Sequence, residues 1–235
     1  MNTLCVAVIG AAGRLGSRAC DWIEAADGMD LVARIDSMDD LVGNLRDSRP
    51  DVGVDLTHAP LGLLHGLAML DCGVRPVVGT SGVGAQQTAE LDRVARAAGL
   101  GGIVVPNFSL GVWLMQQAAE LAARHMPRFE VIEMHHERKQ DAPSGTAIHS
   151  AERLAEIVGI DPGDVPIHSV RIPGAASNQE VVFGAEGEWL RLRHETYGLE
   201  CFAPGLLASV RYAASTVGVA RGLGPALRLG SQADN

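Results

Sequence analysis

The stretch Leu4-Cys5-Val6-Ala7-Val8-Ile9-Gly10-Ala11-Ala12-Gly13-Arg14-Leu15-Gly16 decides how this chain is read. Its first six residues are an unbroken apolar run, the pattern of a strand buried on both faces. A turn of small residues follows, and a helix-like run begins at Arg14. Small residues let backbone N–H groups approach a pyrophosphate, and the helix start adds partial positive charge. Asp36 stands twenty residues after Gly16, at the end of a second strand-like run over 31–35. A carboxylate there suits the adenine ribose hydroxyls of a dinucleotide. The spacing is G-x-x-G-x-x-G rather than G-x-G-x-x-G. A tight turn alone would need only the glycines. Strand, loop, helix and distal Asp together predict a cofactor held by Gly10, Ala11, Ala12, Gly13, Arg14, Leu15, Gly16 and Asp36.

Beyond this stretch, further strands are expected at 52–56, 75–79 and 102–105, with helices at 14–26, 61–70 and 85–98. Strands separated by helices predict an α/β, Rossmann-like parallel sheet. Ligands of such sheets lie beyond the carboxyl ends of the strands. Three turns end strands there and are placed to touch the cofactor: Leu56 and Thr57; Gly79, Thr80 and Ser81; and Val105, Pro106, Asn107 and Phe108. Each taken singly also reads as an ordinary β–α turn. A carboxylate at Asp36 repels a 2′-phosphate, and Ser37-Met38-Asp39 supplies no base, although Arg34 or Arg14 could reach round. NADH is expected to be preferred, with NADPH tolerated.

After Pro106 the pattern changes. A helix is expected over 110–125, a strand over 129–135, a polar loop, a helix over 144–158, and strands over 168–172, 179–183 and 189–194. This is an α+β block with a largely open sheet. A last helix is expected over 206–217, belonging to either lobe, and a weakly patterned, fraying tail over 222–235. The pattern divides the chain into a first lobe over 1–106 and a second over 107–209.

The composition is that of an ordinary globular chain: 235 residues, 47% hydrophobic and 20% charged. A net charge of −9 without a basic run argues against nucleic-acid binding. Four scattered cysteines fit reduced thiols in a cytoplasm. The apolar start is too short and glycine-interrupted for a signal peptide, and no later stretch suits a membrane span. Of 19 basic residues only Lys139 is a lysine. A codon preference for arginine explains the rest, but not the place of the one lysine.

That lysine lies in Glu133-Met134-His135-His136-Glu137-Arg138-Lys139-Gln140-Asp141-Ala142-Pro143-Ser144-Gly145-Thr146-Ala147. Two adjacent histidines at a strand end point to opposite faces. They do not share a metal, and no His-Glu-x-x-His pattern is present, so no metal site is expected. Pro143-Ser144-Gly145-Thr146 opens a helix whose free N–H groups and two hydroxyls suit an anion. Plain N-capping by Ser144 is compatible with this. The residues predict a dicarboxylate or similar anion held by the helix start and Lys139, with a histidine as proton donor.

The run His135-His136-x-x-Lys139-x-Asp141-Ala142-Pro143-Ser144-Gly145-Thr146-Ala147 resembles the signature of the dihydrodipicolinate reductase family. The resemblance extends to the glycine loop with Arg14, to Gly79-Thr80-Ser81-Gly82, to Pro106-Asn107-Phe108-Ser109 with Gly111-Val112, and to the segment from Phe183 to His194. It implies NAD(P)H-dependent reduction of 4-hydroxy-tetrahydrodipicolinate in diaminopimelate and lysine biosynthesis. It implies His135 as proton donor, Lys139 as second catalytic residue, His136 as a substrate ligand, and Gly145 and Thr146 as holders of a substrate carboxylate, with Ser144 beside them. It also implies a homotetramer built through the open mixed sheets of the substrate lobes, and a C-terminal helix that returns to the first lobe, so that 1–106 with 210–235 form the dinucleotide-binding domain and 107–209 the α+β substrate-binding and tetramerisation domain. Two positions depart from the family pattern. Asn178 stands where a histidine is usual, and Leu199 where an arginine is usual. These departures leave two alternatives: a paralogous oxidoreductase of altered substrate, or a catalytically weak dinucleotide sensor.

Overall fold

The computed structural model describes residues 3–230. The chain forms two compact units, one running to Ser109 and resuming at Phe202, the other spanning Leu110–Cys201.

Unit 1 is built on a parallel sheet of six strands: β1 (Leu4–Ile9), β2 (Met29–Ile35), β3 (Val52–Asp55), β4 (Arg75–Val78), β5 (Gly101–Val104) and, last in the chain, β10 (Gly218–Arg221). Their order is β10-β5-β4-β3-β1-β2, and every neighbouring pair is parallel. Val6, Val8, Val52, Val54, Val77 and Ile103 are wholly buried, because helices cover both faces. These helices are α1 (Arg14–Glu24), α2 (Leu41–Ser48), α3 (Leu61–Asp71), α4 (Ala85–Ala98), α7 (Ala203–Ser215) and α8 (Gly224–Gly230). The chain leaves β1 toward β2 on one side and later toward β3 on the other. That reversal opens a crevice at the carboxyl ends of β1 and β3, where such sheets take ligands.

Unit 2 contains α5 (Leu110–Ala123), β6 (Phe129–His135), α6 (Gly145–Val158), β7 (Ile167–Arg171), β8 (Ser177–Ala185) and β9 (Glu188–His194). The sheet order is β7-β6-β8-β9. β7 runs parallel to β6, while the other pairs are antiparallel, so the sheet is mixed. Alternation puts Phe129, Val131, Glu133 and His135 on one face of β6. That face meets a core of Ala119, Ala151, Leu154, Val181 and Phe183.

The division differs from the expected one at both junctions. α7 lies wholly in unit 1 because Leu206, Val210 and Ala213 are fully buried there. A Cβ on Gly205 would lie 2.0 Å from the Phe108 carbonyl oxygen, so this helix is seated against its own unit's backbone. Three short elements had no usable period: α2, β10 and α8. The expected helix over 206–217 ran nearly into β10 and hid it. The expected fraying tail is helical over Gly224–Gly230, and its last five residues lie outside the described ones.

Candidate active site

In unit 1 the glycine loop is tight. Gly10 has φ +84°, and a Cβ on it would touch the Leu56 carbonyl oxygen at 3.0 Å. A Cβ on Gly16 would lie 1.9 Å from the Gly10 oxygen, so only glycine lets α1 start so close to the loop. α1 has Gly13 at its N-cap and no side-chain cap, which leaves its first N–H groups without intrahelical partners. The Asp36 carboxylate accepts a 2.6 Å hydrogen bond from the Ala12 N–H, so it stands at the loop. A loop that a side chain would fill and a carboxylate at its rim fit a dinucleotide.

The other turns meet at the same edge of the sheet. Asp55 ends β3 fully buried. Its carboxylate accepts from the hydroxyls of Thr57 at 2.7 Å and Thr80 at 2.8 Å, and lies 3.2 Å from His65 Nδ1. Burial pushes this carboxyl up, but the bonds from His65, Thr57 and Thr80 outweigh burial and bring it below the usual carboxylate range. Thr57 and Thr80 therefore spend their hydroxyls on Asp55. Gly79 packs under Phe108 and Leu56: a Cβ on it would lie 2.6 Å from the Phe108 ring and 2.8 Å from Leu56. Val105 and Phe108 are buried, and Asn107 Oδ1 accepts from the Ser109 N–H at 2.8 Å. These residues shape the crevice. Ser81 and Pro106 are exposed.

In unit 2 the polar loop gathers on one carboxylate. Glu133 is fully buried on the core face of β6, two residues before His135. Arg171, at the end of β7 and opposite His135, donates to both Glu133 oxygens at 2.7 and 2.9 Å. His135 Nδ1 makes a short hydrogen bond to Glu133 Oε2, and the Ser144 N–H donates to Oε1 at 3.3 Å. Burial pushes the Glu133 carboxyl up, but Arg171, Ser169 and His135 overcome it and hold it at about 2. For His135, burial comes first and lowers the pKa. Glu133 works against that, while Lys139 and Arg171 reinforce it. The ring is neutral near pH 7. An ionised carboxylate only accepts, so the ring proton sits on Nδ1. Nε2 then accepts from the Ser177 hydroxyl at 3.1 Å.

Lys139 Nζ is held by both Asp141 oxygens, at 2.8 and 2.7 Å, and this ammonium pulls the Asp141 carboxyl below its usual range. Ser144 caps α6, its hydroxyl accepting from the Ala147 N–H at 3.3 Å, so that hydroxyl already has a partner. Gly145 and Thr146 open the helix and keep the unpartnered N–H groups of its first turn. The His136 N δ1 is buried and has no hydrogen-bond partner. Among the described residues no group of His, Cys, Asp and Glu could hold a metal ion.

Comparison with known proteins adds to this geometry. A family model described as dihydrodipicolinate reductase, N-terminus, matches residues 4–108. Its C-terminal counterpart matches residues 111–223. The chain belongs to the dihydrodipicolinate reductase family. A 4-hydroxy-tetrahydrodipicolinate reductase of Moorella thermoacetica is 36% identical, over 94% of this chain and 97% of its own. One from Halalkalibacterium halodurans is 39% identical, over 87% and 92%. Among solved structures, a dipicolinate-bound dihydrodipicolinate reductase from Paenisporosarcina sp. TG-14 matches with TM-score 0.82 and 31% identity, covering 94% of this chain and 98% of that one. A scyllo-inositol dehydrogenase from Lactobacillus casei, 11% identical with TM-score 0.65, shares the fold alone.

The family's nucleotide-binding reductase fold implies use of NAD(P)H. No helix among the described residues is long and apolar enough to cross a membrane. The two departures from the dihydrodipicolinate reductase pattern have separate fates. Asn178 Oδ1 accepts from the Thr196 N–H at 3.0 Å and so ties the start of β8 to the segment after β9. Leu199 opens a half-buried 3-10 turn, Leu199–Phe202. Two residues had no role in the sequence reading: Glu133 and Arg171. Glu133 had a usable signal, since a charge two residues before His135 on a strand shares its inward face. Arg171 had none, standing 36 residues beyond His135.

Proposed function

We propose that the chain reduces 4-hydroxy-tetrahydrodipicolinate with NAD(P)H. The observation that carries this is the grouping in unit 2 of a buried histidine and a helix start bonded to Glu133, with the backbone of the lone lysine bonded to Arg171. Family membership over both units supports it.

The glycine loop from Gly10 to Gly16, Asp36, and the turns at Leu56-Thr57, Gly79-Thr80-Ser81 and Val105 to Phe108 would hold the dinucleotide. When bound, it supplies the hydride. The N–H groups of Gly145 and Thr146 would bind one substrate carboxylate, with Ser144 keeping that helix start in shape. Lys139 would leave Asp141 for substrate and stabilise developing negative charge. His136 would line the same site. His135 Nε2 would carry the proton. Its ring is neutral in the free protein, and a dicarboxylate beside it adds negative charge that raises its pKa and loads Nε2. NADH is the preferred donor in this reading, because Asp36 stands at the loop and Arg34 is paired with Glu24 at 2.8 Å.

The chain would act as a homotetramer. The face of the mixed sheet turned away from α5 and α6 carries Ile132, Val182 and Trp189 along a groove of about 730 Å³, and Trp189 is 70% exposed. Light scattering checks this: a monomer at micromolar concentration refutes the assembly.

The function is tested by a coupled assay. Aspartate semialdehyde, pyruvate and the preceding synthase generate the substrate, and loss of NADH or NADPH absorbance is followed. No oxidation above background with either donor refutes the proposal. Turnover of another imine in its place would favour the altered-substrate paralogue that Asn178 and Leu199 suggest. Dinucleotide binding without cooperative binding of pyridine-2,6-dicarboxylate would favour the sensor.

A further inference from the structure

We propose that Arg171 is a positioning residue whose one guanidinium sets His135, the Lys139 loop and the start of α6 in one arrangement. The inference rests on the reductase reading and deepens it.

Every N–H of the Arg171 guanidinium has a partner. Nη1 donates to Glu133 Oε2 and to the Val170 carbonyl, each at 2.9 Å. Nη2 donates to Glu133 Oε1 and to the Asp141 carbonyl, each at 2.7 Å. Nε donates to the Lys139 carbonyl at 3.3 Å. Five donors on a rigid plane meet five acceptors, which a lysine with three donors on a flexible stem does not reproduce.

Four of these five bonds lead to a group with a proposed role. Through Glu133, Arg171 orients His135: the carboxylate takes the Nδ1 proton and turns Nε2 toward Ser177. Through the Lys139 and Asp141 carbonyls it pins both ends of the segment that presents the Lys139 ammonium. Through Glu133 Oε1 it reaches the Ser144 N–H, at the turn before Gly145 and Thr146. The side chain of Arg171 is 18% exposed and that of Glu133 is buried, so solvent screens the pair little. Strand pairing makes this possible. β7 runs parallel to β6 with Arg171 opposite His135 and Ser169 opposite Glu133.

The experiment uses the full chain with Arg171→Lys, His135→Ala and the double variant. Misplacing a reacting group by about 1 Å costs on the order of 100-fold in rate. Arg171→Lys is therefore expected to lower kcat about 100-fold, raise KM for substrate, and leave NADH affinity within about twofold. In the His135→Ala background the same change should cost clearly less than in the wild type, because the share that acts through His135 is already lost and groups acting as a unit are not additive. An unchanged kcat, or the full loss repeated in the His135→Ala background, overturns the proposal. If Arg171→Lys fails to bind NADH and so is not folded, Glu133→Gln carries the same criteria. Nitrogen-15 spectra of the His135 ring provide an arm that needs no turnover. The neutral ring should carry its proton on Nδ1 in the wild type and become a tautomer mixture in either variant. An Nε2-protonated wild-type ring, or a tautomer unmoved in both variants, overturns the positioning role whatever the substrate proves to be. Absence of turnover in the wild type, by contrast, refutes only the reductase reading.

Discussion

Acid should strip stability from unit 2 by a set amount that Glu133→Gln lacks. The Glu133 carboxyl titrates at about 2 in the folded chain against an ordinary 4.5. At about 1.4 kcal/mol for each pH unit, that difference is worth about 3 kcal/mol. The sign follows from the direction. The folded pKa is depressed, so the contribution is complete above about pH 4.5 and disappears as pH falls toward 2. By about pH 3 linkage removes about 2 kcal/mol of it. His135 also has a lowered pKa, and its contribution is lost in a higher window, as pH falls through and below its ordinary 6.5. The comparison therefore runs from about pH 5 to pH 3. The assay is urea unfolding at equilibrium in a Trp22→Phe background. Trp113 and Trp189, both in unit 2, then report that unit alone. At neutral pH Glu133→Gln should be about 3 kcal/mol less stable, because Arg171 loses its buried counter-charge. The two curves should close by about 2 kcal/mol between pH 5 and pH 3. Curves that stay parallel across that interval would refute the claim that the Arg171 ion pair holds Glu133 ionised.

Other consequences can be measured separately. Gly16→Ala places a Cβ 1.9 Å from the Gly10 oxygen, so NADH affinity should drop at least about 100-fold and unit 1 lose about 2 kcal/mol or more; a fluorescence titration matching wild type would show the loop is not the cradle. Asp55→Asn gives up the carboxylate that aligns Thr57 and Thr80, and should weaken NADH binding about tenfold with little change in substrate KM; an altered KM with unchanged NADH affinity would contradict that. Lys139→Ala should cut kcat by about 100- to 1000-fold while calorimetry finds NADH binding intact. Asp141→Asn releases the Lys139 ammonium and should lower the Kd for pyridine-2,6-dicarboxylate, and a raised Kd would mean that Asp141 organises the lysine instead of competing with substrate.

Much of unit 1 was legible because local patterns dictate it. An apolar run, a turn of small residues and a helix in sequence leave few alternatives, and Gly10 and Gly16 are needed for reasons confined to that turn. The short elements α2, β10 and α8 were not legible. Their stability comes from what they pack against, and α2 offers a single fully buried residue, Leu45. Thr57 and Thr80 follow β3 and β4 at the carboxyl end of the sheet. Their engagement with Asp55 was invisible, because it joins the ends of two strands through a side chain with no local signature.

The amino-acid sequence was enough to show that a strand, a turn of small residues and a helix follow one another from Leu4, and that the lone lysine lies between two histidines and a helix start. These are short-range matters, set by residue type and spacing. How His135 is held was settled by tertiary structure. His135 owes its tautomer to Glu133 across one strand alternation, and Glu133 owes its charge to Arg171 on a neighbouring strand. A carboxylate is buried at tolerable cost only when its counter-ion is brought to it. Bringing residues 133 and 171 together is the work of strand pairing, which spacing along the chain does not record.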